Sequence, residues 1–211
     1  MAGIFKPMEI EAESFRIISQ EIAQMGRTLP EEYASVIKRV IHTTADFSYL
    51  DTLYFSEHIM QIAMTALLDG ASVITDTNMA KAGIHQSAFA RLGGTVQCYM
   101  AEKWVAEQAK RQQVTRAQIS MELAAQAGED FIYVIGNAPT ALLKLVELWH
   151  EDRVRPRFVI GAPVGFVNVE EAKELLIESG IPCIVPRGRK GGSNVAAAIM
   201  NALLYEAAGR D

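Results

Sequence analysis

The chain has 211 residues, half of them apolar and 21% charged, with a formal net charge of −5. That composition excludes a disordered chain, and the acidic balance argues against a nucleic-acid partner, which needs a basic face. The length suits one domain with a sizeable core, and no apolar run reaches the roughly 18 residues of a membrane span.

The opening "MAGIFKPMEI" lacks a basic segment followed by an apolar core, so no secretory signal is expected. Residues 1–10 read as a flexible tail and 11–211 as a single domain. Amphipathic helices are predicted over 12–25 and 30–45, the second with Pro30 in its first turn and Glu31 and Glu32 behind it. A longer helix is predicted from about 53 to 69, ending at Gly70. Five short runs rich in β-branched residues then read as buried strands: 71–76, 95–100, 130–136, 156–162 and 182–186. Helical patterns at 115–126, 138–150, 168–178 and 192–208 lie between or after them. Apolar strands alternating with amphipathic helices imply an α/β fold, a doubly wound domain with a mostly parallel five-stranded sheet flanked by helices. Cys98 and Cys183 are far apart and sit in apolar stretches, as reduced thiols of a cytoplasmic protein do.

In such a sheet, ligands bind beyond the carboxyl ends of the strands. Three loops there place glycine where a strand ends: "IGNAPTAL" (135–142), "IGAPVGFV" (160–167) and "VPRGRKGGSN" (185–194). Asn137 is the expected cap of the helix after the first and a binding candidate. In the last, Arg187, Arg189 and Lys190 precede Gly191, Gly192 and Ser193, which open the C-terminal helix. A helix start with three adjacent cations is an anion site, suited to a ligand with several negative groups. Arg116 follows the expected cap Thr115 at another helix start, against the dipole preference, and is a second anion candidate. No loop carries a dinucleotide fingerprint or a Walker A pattern, which counts against a nucleotide-binding enzyme. The four histidines show no metal-ligand spacing.

On a helical wheel, Tyr33, Val36, Ile37, Val40, Ile41 and Thr44 gather on one side, and His42 falls almost opposite. Ser35, Arg39 and Asp46 flank it. Arg39 repels an imidazolium and Asp46 attracts one, an arrangement suited to proton transfer. Asp46 has two readings, a tuner of His42 or part of a solvated face.

Seven ordered motifs carry a resemblance: "ESFRII" (13–18), "RVIHTTADF" (39–47), "ITDTNMAKAGI" (74–84), "TR" (115–116), "IGNAPTALLKL" (135–145), "GAPVGFVNVEEAKE" (161–174) and "RGRKGGSNVAAAIMNAL" (187–203). With them, from about Glu11 to Leu204, the chain resembles the precorrin-8X methylmutase family, including its cobalt-precorrin-8 branch, of cobalamin biosynthesis. The resemblance implies an isomerase that moves a methyl group from C-11 to C-12 of the corrinoid macrocycle, giving hydrogenobyrinate or cobyrinate. It implies no cofactor, with any cobalt belonging to the substrate. It also implies a homodimer with the active site at the interface. His42 matches the family's proton donor and acceptor, and Ser14 and Arg39 match substrate-contacting positions. Arg116 matches a carboxylate-binding position, and the "RGRKGGS" loop suits the substrate's many carboxylates. Residues 1–10 and 101–113 depart from the pattern, as does Ala117, where many relatives have serine. The rival from another class is a non-catalytic tetrapyrrole carrier using the same cleft.

Overall fold

The structure, a computed structural model, describes residues 7–128 and 130–209. Helix α1 spans Pro7–Gln24, a 3₁₀ turn Glu31–Tyr33, α2 Ala34–Thr44 and α3 Tyr49–Thr52; β1 follows at Leu53–Phe55 and α4 at Ile59–Leu68. Next come β2 Val73–Thr75, α5 Asn78–Gly83, α6 Gln86–Arg91, β3 Val96–Gln97, α7 Lys103–Gln112 and α8 Arg116–Gln126. The last third is β4 Ile132–Ile135, α9 Pro139–His150, β5 Phe158–Gly161, α10 Val169–Glu178, β6 Cys183–Pro186 and α11 Ser193–Ala208.

The strands form one sheet in the order β1-β6-β5-β4-β2-β3. All pairs are parallel except β1 with β6. The five strands expected from sequence are present, and β1 is a sixth. It corrects the helix expected over 53–69. Leu53, Tyr54 and Phe55 are bulky residues that suit a half-buried pleat, and they pair antiparallel with Ile184–Pro186. His58, left-handed at φ 57°, then separates the strand from α4. An antiparallel edge on a parallel sheet is a common solution. At the amino end, α1 begins at Pro7, so part of the expected tail is helical; residues 1–6 lie outside the described residues.

Alternating residues of the central strands face opposite layers. Ile132 and Val134 pack with α1, α2, α4, α6 and α11, whereas Tyr133 and Ile135 pack with α8, α9 and α10. This double burial explains why the strands read as continuous apolar runs. Helix α11 lies at the centre of the first layer, and its run Ala196–Ala198 is buried there. The chain leaves β2 toward β3 and then returns past it to build β4, β5 and β6. The β2–β4 boundary is therefore the topological switch point, where a ligand crevice is expected.

Candidate active site

A cleft of about 620 Å³ opens at that switch point. Asp76–Asn78 after β2, Asn137–Thr140 after β4 and Thr115–Ala117 at the start of α8 line it. Asp76, at 0% exposure, organises its floor. One carboxylate oxygen accepts the amide of Gly136 at 2.8 Å, and the other accepts those of Asn137 at 2.8 Å and Ala138 at 2.6 Å. Burial pushes this carboxyl up from its ordinary range, and the three amides oppose that shift. Asp76 thus occupies the anion site that the start of α9 would otherwise offer.

This corrects the expectation that Asn137 caps α9. Ala138 holds the cap position without a side-chain bond, and the exposed Asn137 faces the cleft. Thr115 does cap α8, in a reciprocal box with Gln118, and its hydroxyl meets that of Thr140 at 3.0 Å. Arg116, one position on, is exposed at the cleft, and among the described residues its guanidinium has no partner.

The cations of the last loop are already engaged. Arg187 lies 3.4 Å from Glu174 and over the Tyr54 ring. Arg189 donates to Glu170 at 2.7 Å and stacks on Phe166, a ring 83% exposed. Lys190 donates to Asp46 at 2.6 Å and to Ser48 at 2.9 Å. Gly191 lies so close to the carbonyls of Ala162 and Pro163 that a Cβ has no room. The Gly192 amide donates to Ala162 O at 2.8 Å, so it is not a free anion donor in this conformation. Ser193, 8% exposed, meets the Thr77 hydroxyl at 2.8 Å.

A second cluster stands on the polar face of α2. His42 is exposed, as the wheel requires, and α1 lies alongside. Ser14 Oγ is 2.7 Å from His42 Nδ1, and the Phe15 ring meets the imidazole edge-on at 5.5 Å. The Arg39 guanidinium pairs with Glu11 and sits between the rings of Phe15, at 5.1 Å, and Tyr205, at 4.9 Å. Asp46, expected beside His42, turns instead to Lys190. The loop 187–193 thereby touches the end of α2 through Lys190 and the cleft through Ser193. Sequence reasoning missed Asp76 and the buried Lys173; an acid ending a buried strand and a lysine on the apolar side of α10 were the available signals. Among the described residues, no three His, Cys, Asp or Glu side chains converge as metal ligands. No helix there is long and apolar enough to cross a membrane.

A family model described as precorrin-8X methylmutase (CbiC) matches residues 9–206. A cobalt-precorrin-8 methylmutase of Salmonella typhimurium is 44% identical over 97% of this chain and 98% of its own. A precorrin-8X methylmutase of Pseudomonas aeruginosa is 34% identical over 93% of this chain and 94% of its own. The crystal structure of precorrin-8X methylmutase from Thermus thermophilus superimposes with a TM-score of 0.85 at 38% identity, covering 94% of this chain and 97% of that one. The family match over most of the chain, the identity to these relatives and the overlap of the two folds agree, and the chain belongs to the precorrin-8X methylmutase family.

Proposed function

We propose that this chain catalyses the family's intramolecular methyl migration, from C-11 to C-12 of cobalt-precorrin-8 or its metal-free counterpart, as an isomerase of cobalamin biosynthesis. The observation that carries the site assignment is the Ser14–His42 pair on an exposed helix face beside Arg39. The C-11–methyl bond breaks and the C-12–methyl bond forms, so substrate and product are isomers and no external donor is consumed. His42 lends a proton to the macrocycle, which makes the receiving carbon electron-poor so that the methyl group moves to it with its bonding pair, and recovers the proton afterwards. One positioned acid of this kind contributes about 10²–10⁴-fold.

The rest of the rate enhancement comes from holding a flexible, many-carboxylate macrocycle in one reactive conformation. Arg116, the uncommitted cation of the cleft, takes one carboxylate, and Asn137 supplies a polar contact beside it. Arg187, Arg189 and Lys190 exchange their internal carboxylate partners for those of the substrate, while Gly191, Gly192 and Ser193 shape the loop that carries them. Arg39 fixes the electrostatics around His42. No cofactor is assigned, and cobalt where present enters with the substrate. A homodimer in the cytoplasm fits this reading, because a partner laid across α2 would cover the exposed His42 and complete the pocket.

The test is incubation with cobalt-precorrin-8 and, separately, precorrin-8X, following the absorbance spectrum. Conversion of either by the wild type, lost in His42→Ala, is the expected result. Tight binding of both without conversion by the wild type would favour the carrier.

A further inference from the structure

Lys173 is a lysine with 0% exposure in a protein of this size, and lysines are almost never fully buried without partners. Its partners are not carboxylates. The ammonium donates to the backbone carbonyls of Gly188, at 2.7 Å, and Lys190, at 2.8 Å. These carbonyls flank Arg189, so Lys173 grips the loop that carries the site's three cations. On either side of it along α10, Glu170 pairs with Arg189 and Glu174 with Arg187. One helix face thus holds the loop through both its main chain and its side chains.

We propose that Lys173 is a positioning residue for the reaction: its buried ammonium fixes the main chain at 188–190 so that Arg187, Arg189 and Lys190 present a set spacing of charge to the substrate's carboxylates. The proposal rests on the methylmutase reading of this site. Burying a cation is costly, and burial lowers this amine to about 8, with Glu170 and Glu174 opposing the shift. A neutral residue would fill the same volume without that cost. What it would lack is a donor to the two carbonyls, and the three cations would then hang on a loop free to shift. Misplacement by an ångström is enough to cost a large part of an oriented site's advantage.

The experiment compares wild type with Lys173→Met, which keeps length and volume and removes the donors. Two readouts are taken. The first is steady-state kinetics on cobalt-precorrin-8, where the expected result is KM raised about tenfold with kcat within about twofold. The second needs no substrate: amide hydrogen exchange at Gly165 and Gly192, whose N–H groups bond to Arg189 O and Ala162 O, should accelerate. Amides of β4 should keep wild-type protection. Wild-type KM together with wild-type exchange at those two amides in K173M overturns the proposal. If K173M does not fold, K173R decides, since a guanidinium restores donors to both carbonyls. Wild-type KM and loop protection in K173R support the clamp, and a raised KM with undisturbed loop protection overturns it. A wild-type enzyme that converts neither substrate removes the methylmutase reading, and the exchange measurement then tests the clamp alone.

Discussion

Ser14 Oγ lies 2.7 Å from Nδ1 of His42, joining helices whose residues are 28 positions apart. A hydroxyl donates to a bare ring nitrogen and accepts from a protonated one, so Ser14 serves His42 in both of its proton states. It leaves Nε2 as the ring nitrogen outside that contact on the exposed face of α2. A carboxylate in the same place would hold the imidazolium and slow release of its proton. His42→Ala should therefore bind the macrocycle and lose about 10²–10⁴-fold in kcat. Ser14→Ala should lose about 3–10-fold in kcat, the equivalent of one net hydrogen bond, with KM little changed. Steady-state kinetics and spectroscopic titration with product check both.

Asp76 is the acceptor for three amides at the start of α9. Asp76→Ala strands one buried and two part-buried donors and should destabilise the fold by about 2–4 kcal/mol. Asp76→Asn keeps one acceptor oxygen but turns N–H groups against the remaining amides, and should cost about 2 kcal/mol. Urea unfolding measures both. A loss well under 1 kcal/mol for Asp76→Ala would mean that water satisfies the amides.

What the sequence disclosed followed from local periodicity. The helices expected at 138–150, 168–178 and 192–208 end within one residue of α9, α10 and α11, because each is long and amphipathic. The wheel placed His42 on the polar face, and its exposure follows from that geometry alone. Apart from the early start of α1 at Pro7, the misses were long-range. Three residues of β1 merge with the apolar pattern of α4, and only pairing with β6, some 130 positions on, makes them a strand. Asp46 sits four residues after His42, yet its partner Lys190 arrives from 144 positions away. Asp76 meets Gly136 across 60 positions, a pairing that no local spacing encodes. Domain-scale pattern was legible, and the wiring between loops was not.

Gly136 follows β4 directly and packs against Ser193 at the start of α11. A Cβ there would lie 2.6 Å from Ser193 Cα and 2.9 Å from its nitrogen, both main-chain atoms that cannot swing aside. Gly136→Ala should push the start of α11 and the 187–193 loop away from the cleft. Overpacking of this kind costs about 1–3 kcal/mol. The same variant should lower kcat/KM more than the stability loss explains, and urea melts beside kinetics at a temperature where the variant is fully folded would show it.

The loop cations should carry the salt dependence of binding. Arg187, Arg189 and Lys190 are each about half exposed or more, so their attraction to a ligand is screened within about 10 Å at ordinary ionic strength. Replacing all three with Gln should raise the Kd for product and flatten its rise with added salt. Titration at low and high salt reads both effects. Equal Kd values for variant and wild type at low salt would leave these cations as solvated groups only.

Asp46 gives a pH test that separates its two sequence readings. Hydrogen bonds from Lys190 first, and then from the Ser48 side chain and amide, lower its carboxyl to about 2. The folded value lies below the ordinary 3.8, so folding favours the ionised form. Its contribution to stability is present above about pH 4 and is lost as the pH falls toward 2. Asp46 is 31% exposed and Lys190 56%, and solvent screening holds that contribution to about 0.5 kcal/mol. Asp46→Asn should thus be slightly less stable than wild type near neutrality and equal to it near pH 2, as urea melts across that range would show. The pH profile of kcat should not move, because the carboxylate faces Lys190 rather than His42. A displaced profile would return Asp46 to the role of tuning the catalytic proton.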